Sequence, residues 1–264
     1  MPRKIATGIN GLDDLVGGGF PEGRVILVIG GPGTGKTIMC GQFLYKGIYE
    51  HEESGVFVSL DESKDHFYSE MQGFGWDFRK AEEEGKFAFI DATRMSRVAM
   101  LREKLDKEGR SLHARLRGKQ LPIDELIKDL QVKIYNTKID RHAPGARAKR
   151  VVVDTLASLI YRIPDPVERR TAVVDLIESL ADLGVTSLVT TELEYLGLER
   201  NAVEEEFLVH GVIMMQTLFS GGTTTRAIQV EKMREAKVNP SLVPYSIDQN
   251  GIQVFPNMPL FGEK

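Results

Sequence analysis

At 264 residues, with 42% hydrophobic and 27% charged side chains and a net charge of -4, the chain has enough apolar sequence for one sizeable core and the composition of an ordinary soluble globular protein. No run approaches the roughly eighteen apolar residues of a membrane span, and Met1-Pro2-Arg3-Lys4 leads into polar, glycine-rich sequence with no apolar signal region, so a membrane partner is excluded and a cytoplasmic location expected. A single cysteine, Cys40, excludes an internal disulfide and, among apolar neighbours, reads as core packing.

In chain order, the first strand-length apolar run is Val25 to Ile29. It is followed by Gly30-Gly31-Pro32-Gly33-Thr34-Gly35-Lys36-Thr37 and then by the helical run Ile38 to Tyr49. The octapeptide satisfies G-x-x-x-x-G-K-[ST] between a strand and a helix, the context the motif needs to be a phosphate-binding loop. Its glycines let backbone N–H groups wrap a phosphate, and the helix adds its positive N-terminal end. Lys36 is expected to reach the β- and γ-phosphates of ATP and Thr37 to ligate Mg2+, with the nucleotide-binding stretch running from Gly30 to Ile38.

Further strands are expected at Gly55 to Leu60, Phe87 to Ile90, Val151 to Val153 and Thr186 to Val189, with helical patterns between them. Continuous apolar strands alternating with helices imply a parallel sheet covered on both faces, a three-layer α/β sandwich. The second strand ends in Asp61-Glu62. There Glu62, with Asp61 as neighbour or substitute, is the candidate to deprotonate water, since the C-terminal edge of such a sheet is where ligands bind. The residues alone leave a second reading equally open, in which both acids merely begin the next helix and favour its dipole. The fourth strand ends in Asp154, the candidate metal carboxylate, acting through water.

Residues 95–149 are too long for a simple crossover. Ile123 to Ile134 carries helical periodicity, and His142-Ala143-Pro144-Gly145 reads as a loop returning to the sheet. From Arg94 to Arg150 there are 16 Lys and Arg against 7 Asp and Glu, a net of +9. The remainder holds 18 basic and 31 acidic residues, a net of -13. The basic stretch is either a docking surface for nucleic acid or an acidic partner, or a solvated helical face. Beyond Gly211 the pattern turns to Val212 to Phe219, the turn Ser220-Gly221-Gly222-Thr223, and Thr224 to Met233, an antiparallel hairpin. Pro244 to Ile247 and Gly251 to Phe255, around Asp248-Gln249-Asn250, read as another. The whole chain, 1–264, is read as one domain with a basic, mostly helical insertion.

These residues resemble the KaiC-like branch of the RecA-type ATPases, including archaeal single-domain relatives of RadA. The resemblance is carried by Thr7-Gly8-Ile9-Asn10-Gly11-Leu12-Asp13, Gly17-Gly18-Gly19-Phe20-Pro21 at the family's distance from the phosphate loop, and Phe74-Gly75-Trp76-Asp77. It continues in Thr190-Thr191-Glu192, Val203 to Phe207, Lys232-Met233-Arg234, and Tyr245-Ser246-Ile247 to Gly251-Ile252-Gln253-Val254-Phe255-Pro256. It covers most of the chain. It implies a RecA-like fold, and it implies that the acidic pair Asp61 and Glu62 activates water, with Glu62 the firmer choice because the family usually has Glu where Asp61 stands. It also implies that Lys232 and Arg234 reach the γ-phosphate of a neighbour's ATP. A site shared in that way requires a head-to-tail interface, and the resemblance favours closure into a hexameric ring. Where the family commonly continues Gly-Thr-Ser-His, this chain has Glu235-Ala236-Lys237-Val238, and the insertion has no clear counterpart. One ATPase domain separates the chain from the two-domain circadian clock protein.

Three functions follow as expectations: a slow oligomeric ATPase used as a regulatory or signalling module, a DNA-recombination accessory protein, or a nucleotide-gated scaffold. Related RecA-fold proteins bind DNA through central loops. The loop Glu192 to Glu206 carries Glu192, Glu194, Glu199, Glu204, Glu205 and Glu206 against Arg200, which would repel phosphates, so nucleic acid is expected at the basic insertion or not at all. Autophosphorylation is a further implication of the resemblance, without an acceptor that identifies itself.

Overall fold

The computed structural model describes residues 3–93, 127, 128, 132, 134, 135, 148–160, 163, 165–193, 205–220 and 222–260. Most of the basic insertion, the His142-Ala143-Pro144-Gly145 loop, Glu194, Glu199, Arg200, Glu204 and Gly221 lie outside them.

The strands are β1 (Lys4–Ile5), β2 (Phe20–Pro21), β3 (Val25–Gly30), β4 (Gly55–Ser59), β5 (Phe87–Asp91), β6 (Arg150–Asp154), β7 (Thr186–Glu192), β8 (Gly211–Ser220), β9 (Thr223–Met233), β10 (Val243–Asp248) and β11 (Gly251–Val254). The helices are α1 (Leu12–Leu15), α2 (Lys36–His51), α3 (Lys64–Gln72), α4 (Phe78–Glu83), α5 (Ala157–Ile160), α6 (Pro166–Asp182) and α7 (Glu205–Leu208). Nine strands form one sheet in the order β11-β10-β9-β8-β3-β7-β6-β4-β5. Pairing is parallel from β8 through β5 and antiparallel among β8, β9, β10 and β11. This is the expected mostly parallel α/β sandwich with C-terminal antiparallel hairpins. Among the described residues no helix is long and apolar enough to cross a membrane.

The two-residue alternation of strands divides the core into two layers. Ile26, Val28, Phe57 and Val152 face a cluster built with Met39, Cys40, Phe43 and Phe67 of the helices α2 and α3. Their neighbours Val25, Leu27, Ile29, Val56, Val58, Val151 and Val153 face Val173, Leu176, Ile177 and Leu180 of α6. Ile127 and Ile134, from the stretch between β5 and β6, join this second layer. Helix α6 starts where Pro166 follows Asp165, whose carboxylate accepts from Val167 N (2.8 Å) and Glu168 N (3.0 Å), a proline-initiated capped N-terminus. In the Phe74-Gly75-Trp76-Asp77 segment, Trp76 stacks on Phe74 (4.9 Å) and Asp77 caps α4 through Lys80 N (3.0 Å).

Several boundaries move. Helix α2 begins at Lys36, ahead of the apolar run from Ile38 that announces it in the sequence, because the turn of Gly35 already aligns the backbone. Gly35 has φ 93, a left-handed conformation, and a Cβ there would lie 2.6 Å from Ile247 Cδ1. Strand β4 ends at Ser59 rather than Leu60, since the Ser59 hydroxyl closes a turn onto Glu62. The short β1–β2 pair and α1 carry no strong periodicity in the sequence. They form because Ile5, Ile9, Leu12, Leu15 and Phe20 are buried against the α2 layer.

Strand β6 and helix α2 run along one another, and alternation puts residues 150, 152 and 154 on the α2 side. At the lower end Arg150 is 0% exposed, and its guanidinium bonds Glu53 through Nε (2.7 Å) and Nη2 (2.6 Å), Phe43 O (2.8 Å) and Ala6 O (2.9 Å). Its carbon Cζ also lies 4.6 Å from the centre of the Phe43 ring. Arg150 is therefore not part of a basic surface, as its place at the end of the +9 stretch suggests, but an interior staple. Gly47 makes room for it: a Cβ at Gly47 would approach Arg150 Nε to 2.3 Å. Gly47→Ala is expected to lower unfolding free energy by about 1–3 kcal/mol through overpacking, despite the better helix propensity of alanine. Urea unfolding checks this, and a stabilised variant would refute the steric account.

Candidate functional site

The C-terminal edge of the parallel sheet brings together residues far apart in sequence. The tips of β3, β4, β6 and β7 open on a cleft of about 470 Å³ lined by Lys36, Thr37, Asp61, Glu62, His66, Asp154 and Glu192 among others. On the phosphate loop, Thr34 Oγ1 donates to Gly31 O (2.8 Å), and the Tyr245 hydroxyl of β10 donates to Thr34 O (2.6 Å), so the hairpin braces the loop from outside. Lys36 Nζ donates to Gly30 O (2.8 Å) and Gly31 O (3.2 Å), across the mouth of the loop. Burial lowers the pKa of its ammonium, against the opposing pull of Asp154 and Glu192.

At the upper end of the β6–α2 pair, Thr37 Oγ1 donates to Asp154 Oδ2 (2.8 Å). Thr190 of β7 donates to the other carboxylate oxygen of Asp154, and Leu60 N, after β4, donates to Asp154 O (2.8 Å). Thr37 and Thr190 thus hold one carboxylate oxygen each, beside the first turn of α2, while the Leu60 bond fixes the main chain that carries them. A hydroxyl and a carboxylate side by side are hard oxygen donors that fit Mg2+, which keeps several waters and takes further oxygens from phosphates. Among the described residues no group of three or more His, Cys, Asp or Glu could hold a metal ion by itself.

Asp61 and Glu62 both line the cleft and precede the first turn of α3, whose N-cap is Ser63. Ser59 Oγ accepts from Glu62 N (2.9 Å) and donates to Glu62 O (2.6 Å), so the backbone at Glu62 is fixed from both sides. The Glu62 side chain is 23% exposed and is in contact with Nδ1 of His66.

Lys232 and Arg234 stand elsewhere. Gly30 at the phosphate loop pairs with Met215, whereas Lys232 pairs with Val212, about 10 Å back toward the opposite edge of the sheet. Lys232 Nζ donates to Glu206 O (2.9 Å) and Val209 O (2.8 Å), at the end of α7, and burial and Arg234 lower its pKa. The two residues lie at the end of the sheet remote from their own chain's phosphate loop, Lys232 paired with Val212 and Arg234 N bonded to His210 O (2.8 Å). The next residue, Glu235, has φ 64, the left-handed region that a glycine occupies without strain. A forked ion pair from Arg24 to Glu235 (2.7 Å) holds it there.

Four contributors carry no role in the sequence reading: Thr190 on Asp154, Glu192 beside Lys36, His66 on Glu62, and Tyr245 on the loop. The signal for Thr190 and Glu192 is their place at the tip of a buried strand, where polar residues interrupt the apolar run Leu188-Val189. Tyr245 falls in the closing segment that resembles the family, which gives it no role, and nothing local marks His66.

Comparison with known proteins bears on the whole of this arrangement. A UPF0273 protein of Methanocaldococcus jannaschii is 34% identical over 256 residues, spanning 97% of each chain. The circadian clock oscillator protein KaiC of Synechococcus elongatus is 31% identical over 255 residues, covering 96% of this chain but 44% of that longer protein. The crystal structure of a KaiC-like protein from Pyrococcus horikoshii superposes with a TM-score of 0.76 at 33% identity, covering 97% of this chain and 100% of that one. Residues 5–258 match the family described as "ATPase: KaiC". A phosphate loop, a hydroxyl–carboxylate pair beside it, and a sheet of this order are thus found together in a chain that belongs to the KaiC family of ATPases.

Proposed function

We propose that this chain hydrolyses ATP to ADP and phosphate, slowly and with Mg2+, at sites shared between neighbouring copies in a ring, and that it acts as a regulatory or signalling module. The observation that carries the reading is the Thr37–Asp154 pair held at 2.8 Å in the cleft that also contains Lys36 and Glu62. Loop N–H groups and the Lys36 ammonium bind and orient the phosphates. Thr37, and Asp154 through water, would hold the magnesium, which supplies charge neutralisation at the β- and γ-oxygens. Thr190 keeps Asp154 turned toward Thr37. Glu62, with Asp61 beside it, accepts the proton of the attacking water. Lys232 and Arg234, at the end of the sheet remote from their own loop, stabilise the charge on a neighbour's transferring phosphoryl group. The clock-oscillator names of relatives support a regulatory use, and the nucleic-acid reading rests on insertion residues outside those described.

Phosphate release by wild type, Lys36→Ala and Glu62→Gln tests the catalytic assignment. Glu62→Gln is expected to lower kcat by about 10²–10⁴-fold while nucleotide affinity is retained, and Lys36→Ala to weaken both. Equal rates in all three would sink it. If oligomers assemble on ATP equally in Glu62→Gln, assembly follows occupancy rather than turnover.

A further inference from the structure

We propose that His66 is a positioning residue for Glu62: its imidazole holds one carboxylate oxygen so that the other faces the cleft, turned to take a proton from water. The inference rests on Glu62 being the base.

Glu62 is fixed at its backbone by the Ser59 turn, so only its side-chain torsions remain free. His66 sits on the first turn of α3, four residues on, and its Nδ1 contacts Glu62 Oε1. Both side chains line the cleft that contains Lys36, Thr37 and Asp154. A histidine there removes the torsional freedom that the backbone turn leaves. Glu70 continues the same column one helical turn later. Burial raises its pKa, the charges of Glu62 and Asp154 raise it further, and His66 lowers it.

An exposed pair four residues apart ordinarily adds little to stability, and His66 is 77% exposed. The consequence for rate is larger, because a general base works only from within hydrogen-bond reach of its proton, and small displacements of an oriented group are costly. The exposure also means that His66→Ala should fold normally.

The test is steady-state ATP hydrolysis over a range of ATP concentrations by wild type, His66→Ala, His66→Asn and Glu62→Gln, with melting temperatures measured alongside. His66→Ala is expected to lower kcat about tenfold with KM for ATP within about twofold of wild type, the loss of one hydrogen bond to a charged group. His66→Asn, whose amide N–H reaches the place of Nδ1, should recover most of the rate. A wild-type kcat in His66→Ala, beside a Glu62→Gln that is slow, would overturn the positioning role and leave Glu62 as base. An Asn variant as slow as Ala would overturn the hydrogen bond as its route. A fully active Glu62→Gln would overturn the base assignment and this inference with it.

Discussion

Chains carrying Lys36→Ala and chains carrying Lys232→Ala with Arg234→Ala are each expected to lose ATP hydrolysis by about a hundredfold or more, and to recover it when co-expressed and purified together. The expectation follows from direction and distance. Lys36 lies on the phosphate loop at the C-terminal tip of β3, whereas Lys232 is bonded to Val209 O and Glu206 O below the start of β8. A single copy cannot bring both cations to one phosphate without unpairing β9 from β8, a ladder that runs from Gly211↔Met233 to Ser220↔Thr223. In a closed head-to-tail assembly, a site is intact wherever a chain with Lys36 meets a neighbour with Lys232 and Arg234, so random mixing should restore about a quarter of the sites. A mixture as inactive as its parents would refute sharing. Substantial activity in Lys232→Ala, Arg234→Ala alone would refute the need for the pair.

Arg150→Met is expected to lower unfolding free energy by about 3–5 kcal/mol, because one partner of a buried ion pair is removed while the other stays. Glu53 would lose the guanidinium that bonds it at 2.6 Å and 2.7 Å, and Phe43 O and Ala6 O would lose their donors in the interior. Burial already lowers the Arg150 pKa, with Glu53 acting against it, so the pair is held by geometry rather than by a favourable surrounding medium. Arg150 spaces β6 from α2 at one end, and Thr37 with Asp154 closes the same two elements at the other. A weaker grip on Mg2+–ATP should therefore accompany the lost stability. Denaturant unfolding measures the first effect and nucleotide titration the second. A loss below about 1 kcal/mol would show that the staple is dispensable.

The phosphate loop, the parallel sheet and the carboxylate at the end of β6 were legible from residues 25 to 37, the spaced apolar runs and Asp154, because each is a local pattern with its own physical rule. The acidic pair at 61 and 62 was ambiguous between a base and a helix start, and the Ser59 turn places both residues ahead of the N-cap Ser63. What no local rule reaches is pairing across the chain: Thr37 with Asp154 over 117 residues, Arg150 with Glu53 over 97, Asp154 with Thr190 over 36. A charge count treats Arg150 as surface, because counting cannot see a side chain carried inward by strand alternation and met by a carboxylate. Lys232 is likewise only a cation near a strand end until β9 is registered on β8. The sequence by itself therefore determined that there is a loop of the phosphate-binding pattern and at which edge of the sheet it lies. The tertiary structure decided which groups converge there and which stand elsewhere, since convergence depends on the order in which the strands pair.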